Sequence, residues 1–372
     1  MKNVILTMMT LGVVFWGAVP VHADCPTADL TGDCFVDMED LAVFAGQWLT
    51  GDGIPADMAF IPGGTFQMGD SFEEGYVAER PVHTVTLDAF YIGKTLITHG
   101  QYAAFLTWAI NNETIYINEG IVYGSGNDLM YCDTSANDDR SQLYFMVIMN
   151  PRPPFNIISR SFYVSRKLGR SMADDPMMRV TWYGAVAYAN WRSEQEGREP
   201  CYDLATWECD FDKDGYRLPT EAQWEYAARG GLAGKRFPRG DTINHDHANY
   251  RASGTYDYDT TDYSEPTYHP GWNDGSRPYS SPVGTFLPNG YGLYDMAGNA
   301  SEWCNDTYSW IYYQNSPEVN PTGPGTEGFD RVVRSGSWGL SAYTSRVAGR
   351  FSSDPSQMIY QGGGFRLVLK YD

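Results

Sequence analysis

The chain has 372 residues, with 27 Tyr, 11 Trp, 39 Gly and 21 Pro, 19% charged side chains and a formal charge of −20. That length accommodates one large domain with appendages, or two domains. The glycine-rich, aromatic usage excludes a helical bundle in favour of loops around packed rings, and the acidic balance excludes a nucleic-acid partner, whose phosphates require clustered Lys and Arg.

The first residues, MKNVILTMMTLGVVFWGAVPVHA, give one Lys, an apolar run and small residues before a cleavage point. This pattern predicts a signal peptide over 1–23 and a mature chain starting at Asp24. Pro20 and a polar exit argue against a membrane anchor, and no later segment is apolar enough to span a bilayer. The expected location is secreted, periplasmic or on the cell surface. Export makes the six cysteines candidates for disulfides. Cys25 with Cys34 and Cys201 with Cys209 would each close a short loop, leaving Cys132 and Cys304.

Next, DLTGDCFVDMEDLAVFAGQWL places Asp29, Thr31, Asp33, Asp37 and Asp40 where the oxygens of an EF-hand loop converge on a hard cation. Leu41, Phe44, Ala45, Trp48 and Leu49 follow at helical spacing. Loop and helix, over residues 24–52, resemble one repeat of a dockerin, with Cys34 at the usual Gly and no second repeat. That resemblance implies calcium and a docking partner for the module. The plainer alternative is an acidic linker capping a helix.

In the main body, His83, Val85, Leu87 and Ala89 alternate with polar residues, predicting a half-buried strand. Thr98 and Gln101 form a capping box opening a helix with Tyr102 and Phe105. A second helix is predicted from Trp182 to a stop at Gly197. A third follows the Thr220/Gln223 capping box and ends at Gly230 and Gly231. Glu221 and Glu225 lie one turn apart on it. A first-turn Glu there ordinarily complements the helix dipole, which weighs against a catalytic pair. His245 and His247 flank Asp246 in a loop. Without a third ligand, the pattern favours solvated side chains over a transition metal.

These blocks, followed by NGYGLYDMAGNASEWCND, RVVRSGSW and GGGFRLVL, resemble the sulfatase-modifying-factor family, whose founder is the formylglycine-generating enzyme. The resemblance covers Met58 to Asp372. It implies an α+β fold with a distant likeness to C-type lectins, little regular structure and long stabilised loops. It further implies calcium: one ion at the Asp295 side chain, the Gly298 and Ala300 carbonyls and Glu302, and another at Asn249 and the Tyr250 carbonyl. Such oxygen donors suit a hard cation. Ser301 stands where the family usually has Trp.

In the founder, copper held by two thiols oxidises a substrate cysteine to formylglycine, and soft thiolates suit Cu(I). Aligning RVVRSGSW on the family turn puts Leu340 and Ser345 at the two cysteine positions, so copper is not expected. Ser337, Trp338, Arg346 and Arg350 match the family's groove and are expected to contact a ligand. The family's non-haem-iron branch draws histidines from an added helical domain that has no counterpart here. The sequence thus implies an exported, calcium-stabilised binder of a peptide, protein or glycan. The alternatives are a formylglycine-generating oxidase with other ligands, and a cell-surface structural protein docked through its first module.

Overall fold

The computed structural model describes residues 55–134, 147–149, 162–164, 166–167, 169–262, 267–275, 277–325, 328–359 and 361–371. The expected signal peptide, the Asp29–Asp40 loop with its helix, and the Cys25–Cys34 pair lie outside them.

Sixteen short strands and three α-helices appear among the described residues. In the first part of the chain run β1 (Met58–Ile61), β2 (Gly64–Met68), β3 (His83–Leu87), β4 (Phe90–Gly93), β5 (Ile115–Asn118), β6 (Ile121–Gly124) and β7 (Met130–Asp133). Then come β8 (Val147–Met149), β9 (Phe162–Val164), β10 (Arg166–Lys167) and β11 (Arg170–Ser171). The last part holds β12 (Ser301–Thr307), β13 (Arg331–Arg334), β14 (Phe351–Ser353), β15 (Gly363–Gly364) and β16 (Val368–Lys370).

Each helix starts where its cap dictates. Thr98 accepts the Gln101 N–H and opens α1 (His99–Asn111), with a reciprocal bond from the Thr98 N–H to the Gln101 side chain. Thr181 caps α2 (Trp182–Gln195) by accepting the Gly184 N–H. Thr220 and Gln223 box α3 (Glu221–Arg229), and Gly230 ends it at φ 56°, a left-handed position that glycine adopts without cost. The predicted alternation from His83 covers β3, but Ala89 lies beyond the strand, in the turn that returns the chain as β4.

The sheets join distant segments. β4 lies between β1 and β16, with Ile92 opposite both Ala59 and Val368. In the order β14-β13-β12-β15, β12 is central, antiparallel to β13 and parallel to β15. The main core packs α1 and α2 against β7 and Trp303, with Tyr102, Trp182 and Phe365 fully buried. A second core seats Trp224 of α3 among Val85, Ile92 and Val368.

Buried charge ties these layers together. Glu225 pairs with Arg229 and Arg334, Glu221 with Arg350, Glu302 with Arg366, and Glu79 with Arg346. Asp306, also buried, accepts the Glu221 N–H at 2.9 Å. Burial, and then the Glu221 charge, push its carboxyl up to about 7. The folded state therefore holds this proton to higher pH than the unfolded chain, whose carboxyl titrates near ~3.9. Stability should fall as pH rises from about 4 to about 7. Asp306→Asn is expected to flatten that slope and to exceed the parent in stability at pH 8 by at least about 1 kcal/mol. Urea unfolding at pH 5 and pH 8 checks this, and an unchanged slope would refute it.

The four described cysteines are free thiols. Cys132 and Cys304 are not bonded, because they lie on separate buried strands, β7 and β12, locked by different partners. Cys201 and Cys209 lie on the two arms of a small turn, where Tyr202 pairs with Cys209 and the Asp210 N–H donates to the Cys201 carbonyl. They too are unbonded, and the Cys201 thiol instead donates to the Gly215 carbonyl at 3.1 Å. No helix among the described residues is long and apolar enough to cross a membrane.

Candidate functional site

Two loops meet at the end of the β12–β13 sheet: residues 295–300, entering β12, and residues 335–350, leaving β13. Asp295, Gly298 and Asn299 all have positive φ (57°, 78° and 62°), which curls the first loop so that its carbonyls turn inward. A side chain at position 298 would collide with the Asn249 carbonyl, since its Cβ would sit 2.4 Å away. The chain thus requires Gly there to bring the 249 and 295–300 segments together.

Asn299 joins those segments. Its N–H donates to the Asn249 carbonyl at 2.7 Å, and its side chain both donates to the Ser281 carbonyl and accepts the Ser281 N–H. Two residues expected on separate ions, Asn249 and Gly298, are therefore packed against each other. The Asn249 amide oxygen is buried without a hydrogen-bond partner, as is the Ser281 hydroxyl. Such unanswered oxygens are costly in a dry interior and suit a hard cation. The Asp295 carboxylate accepts the Gly284 N–H at 2.8 Å, and burial pushes its carboxyl up to about 6. A cavity of about 30 Å³ borders it beside His247, room for a water or an ion.

Glu302 differs from expectation. Its two oxygens accept Arg366 Nε at 2.6 Å, Arg366 Nη2 at 2.8 Å and Trp224 Nε1 at 2.9 Å. Through these bonds it closes the core. Tyr250 offers its carbonyl to His245 Nε2 at 3.1 Å. His269 Nε2 reaches the His245 carbonyl at 2.8 Å. The His245–His247 loop is thus held by backbone contacts, and no cluster of three His, Cys, Asp or Glu that could hold a metal exists among the described residues.

The second loop holds every residue of the expected groove. Trp338 is fully buried, its ring packed on Tyr279 with centroids 5.3 Å apart, and its backbone N–H donates to the Asn299 carbonyl at 3.1 Å. Ser337 is buried beside it. Arg346 forks onto Glu79 at 2.8 and 2.9 Å, and Arg350 onto Glu221 at 2.6 and 2.7 Å. Both guanidinium groups are 1% exposed, so each braces the loop instead of facing a ligand. Leu340 is half-buried. Ser345 is buried, its hydroxyl without a partner.

What the loop does present is a tyrosine ladder that the sequence reading missed. Tyr258 stacks on Tyr256 at 5.1 Å, Tyr256 on Tyr343 at 5.6 Å, and Tyr76 meets Tyr343 edge-on at 5.4 Å. Tyr76 is 57% exposed. The ladder runs from the buried Tyr258 to the exposed Tyr76, and aromatic rings with a polar edge suit apolar and polar contacts together. Only their abundance was visible in the sequence, since they come from three separate segments.

The thiols sit elsewhere. Cys132 and Cys304 are fully buried, and burial pushes both well above the ordinary range. Cys201 is pushed up to about 11 and Cys209 to about 12, again by burial.

Residues 52–371 match the family model of the sulfatase-modifying factor enzyme 1-like domain. A formylglycine-generating enzyme of Streptomyces coelicolor is 34% identical, over 79% of this chain and 83% of its own. An inactive C-alpha-formylglycine-generating enzyme 2 of Bos taurus is 28% identical, over 85% of this chain and 89% of its own. Among solved structures, Treponema denticola variable protein 1 superposes with a TM-score of 0.57 at 27% identity, covering 84% of this chain and 95% of that one.

Proposed function

We propose, for a chain that belongs to the sulfatase-modifying factor enzyme 1-like family, an exported binding protein that takes a peptide, protein or glycan without oxidising it. One observation carries the reading. Leu340 and Ser345 occupy the positions where the family resemblance places the copper thiols, and each described cysteine is a thiol that burial keeps protonated. Cu(I) needs thiolates, and a thiol with raised pKa is a poor ligand and a poor nucleophile. The tyrosine ladder beside the loop supports contact with a ligand at this face, with Tyr76 as its exposed end.

The second reading, a formylglycine-generating oxidase, is favoured by the names of the relatives at about 34% identity. Cu(I) competition titration separates the two: the binding reading expects no stoichiometric site in the protein as it stands. One Cu(I) per chain, held against a chelator, would overturn it.

Calcium belongs to the same proposal as a structural ion. The Asp295 carboxylate, the Asn249 amide oxygen and the Gly298 and Ala300 carbonyls would hold it, cross-linking the two loops without redox chemistry. Glu302 is omitted because Arg366 and Trp224 occupy it. Chelation should lower Tm by about 5 °C or more, with recovery on adding calcium. Asp295→Asn should abolish the calcium-dependent part of that shift, and a Tm indifferent to chelator would contradict the assignment.

A further inference from the structure

A cleft of about 800 Å³ opens between α1, α2, the β5–β7 sheet and the loop that carries Trp207. It shares no residue with either loop of the candidate site, and the reading above does not bear on it. Three half-buried indoles line it: Trp108, Trp191 and Trp207. Trp108 and Trp191 stand with centroids 6.4 Å apart, and Trp207 meets Tyr183 edge-on at 4.7 Å. Two lining residues, Glu113 at φ 59° and Trp207 at φ 65°, hold left-handed backbone. For a bulky side chain that conformation is an outlier, of the kind that persists where a side chain must be aimed.

The polar groups of the cleft divide into spent and free. Asn190 exchanges two bonds with the Tyr202 backbone, and Asn127 accepts the Leu129 N–H and donates to the Tyr131 hydroxyl. The exposed ones are the carboxylates of Glu113 and Glu194 and the hydroxyl of Ser125, while the indole N–H of Trp191 is buried without an acceptor. Neither carboxylate has an ion-pair partner among the described residues. No Lys, Arg or His among the described residues lines the cleft, and the chain carries a charge of −20.

Indole faces beside unpaired carboxylates attract a cation that also carries an apolar stem. A sugar would instead draw on paired donors and acceptors, and the carboxamides able to supply them are committed to the fold. We propose that this cleft binds a basic peptide segment. Its Lys or Arg stems lie on Trp108, Trp191 and Trp207, and their charged ends meet Glu113 and Glu194.

The test titrates the full mature chain with a blocked Gly-Arg-Gly-Arg-Gly peptide, read by tryptophan fluorescence and calorimetry at low and high salt. The expected result is saturable binding that the Glu113→Gln/Glu194→Gln variant weakens about tenfold. Trp191→Phe should weaken it as well. Loss of two exposed carboxylates elsewhere, Glu73→Gln/Glu318→Gln, should leave it unchanged. Three results would overturn the proposal: no saturable binding, equal weakening by the distant pair, or binding of a neutral chitin oligosaccharide in place of the peptide.

Discussion

Replacing Glu225 with Gln is expected to destabilise the protein by about 3–5 kcal/mol, the effect of breaking a buried ion pair from one side. Glu225 is fully buried on α3. It accepts the Gly69 N–H at 2.9 Å, Arg229 Nη2 at 2.6 Å and Arg334 Nη2 at 2.5 Å. Burial works against its charge, yet Arg229 and Arg334 hold the carboxyl below the ordinary carboxylate range. One carboxylate therefore answers two guanidinium groups and fastens α3 to β13 and to the residue after β2. Gln keeps an acceptor for Gly69 but leaves Arg334, itself fully buried, without its nearest counter-charge, with only Glu221 left at 3.9 Å. Removing that second charge as well, in Glu225→Gln/Arg334→Met, should recover part of the loss, since a buried pair is replaceable by apolar groups of like volume. Urea unfolding measures both, and a loss under about 1 kcal/mol for Glu225→Gln would show that the network is not what holds α3.

The second large effect is a gain. Leu340→Cys/Ser345→Cys is expected to take up one Cu(I) per chain where the parent takes none, because soft thiolates supply what a methyl group and a hydroxyl cannot. The loop is ready for it in one respect: the Ser345 hydroxyl is buried and unanswered. Uptake by the parent equal to that of the variant would place a copper site elsewhere in the chain. Uptake by neither would show that the loop no longer holds the two positions together.

What the sequence disclosed was what is decided locally. A capping box spans four residues, so Thr98/Gln101 and Thr220/Gln223 were legible along with the glycine that ends α3. Pairing is not local: β4 joins β1 to a strand at the far end of the chain, and nothing in the alternation of either edge names that partner. The same limit hides the partners of the arginines in the 331–350 stretch. Their charge was visible, but Arg346 finds Glu79 across 267 positions and Arg350 finds Glu221 across 129. Read alone they resemble ligand contacts, whereas in the fold they are internal braces. The ion-pair partner of Glu302 is hidden for the same reason, since Arg366 arrives just after β15. Asn299 went unnoticed because its value lies in tolerating a left-handed turn while bonding two segments at once. Neighbouring cysteines suggested bridges by proximity in sequence, and the strands that carry them set other partners.

The central claim, a binding protein on an oxidase frame, is tested most directly by mass spectrometry of a sulfatase-type cysteine peptide. The peptide is incubated with the mature protein, Cu(I), reductant and oxygen, beside an active formylglycine-generating enzyme. The expected result is an unchanged cysteine with this protein and conversion by the control. Formylglycine formed by this protein would contradict it and require a catalytic thiol site other than Leu340 and Ser345.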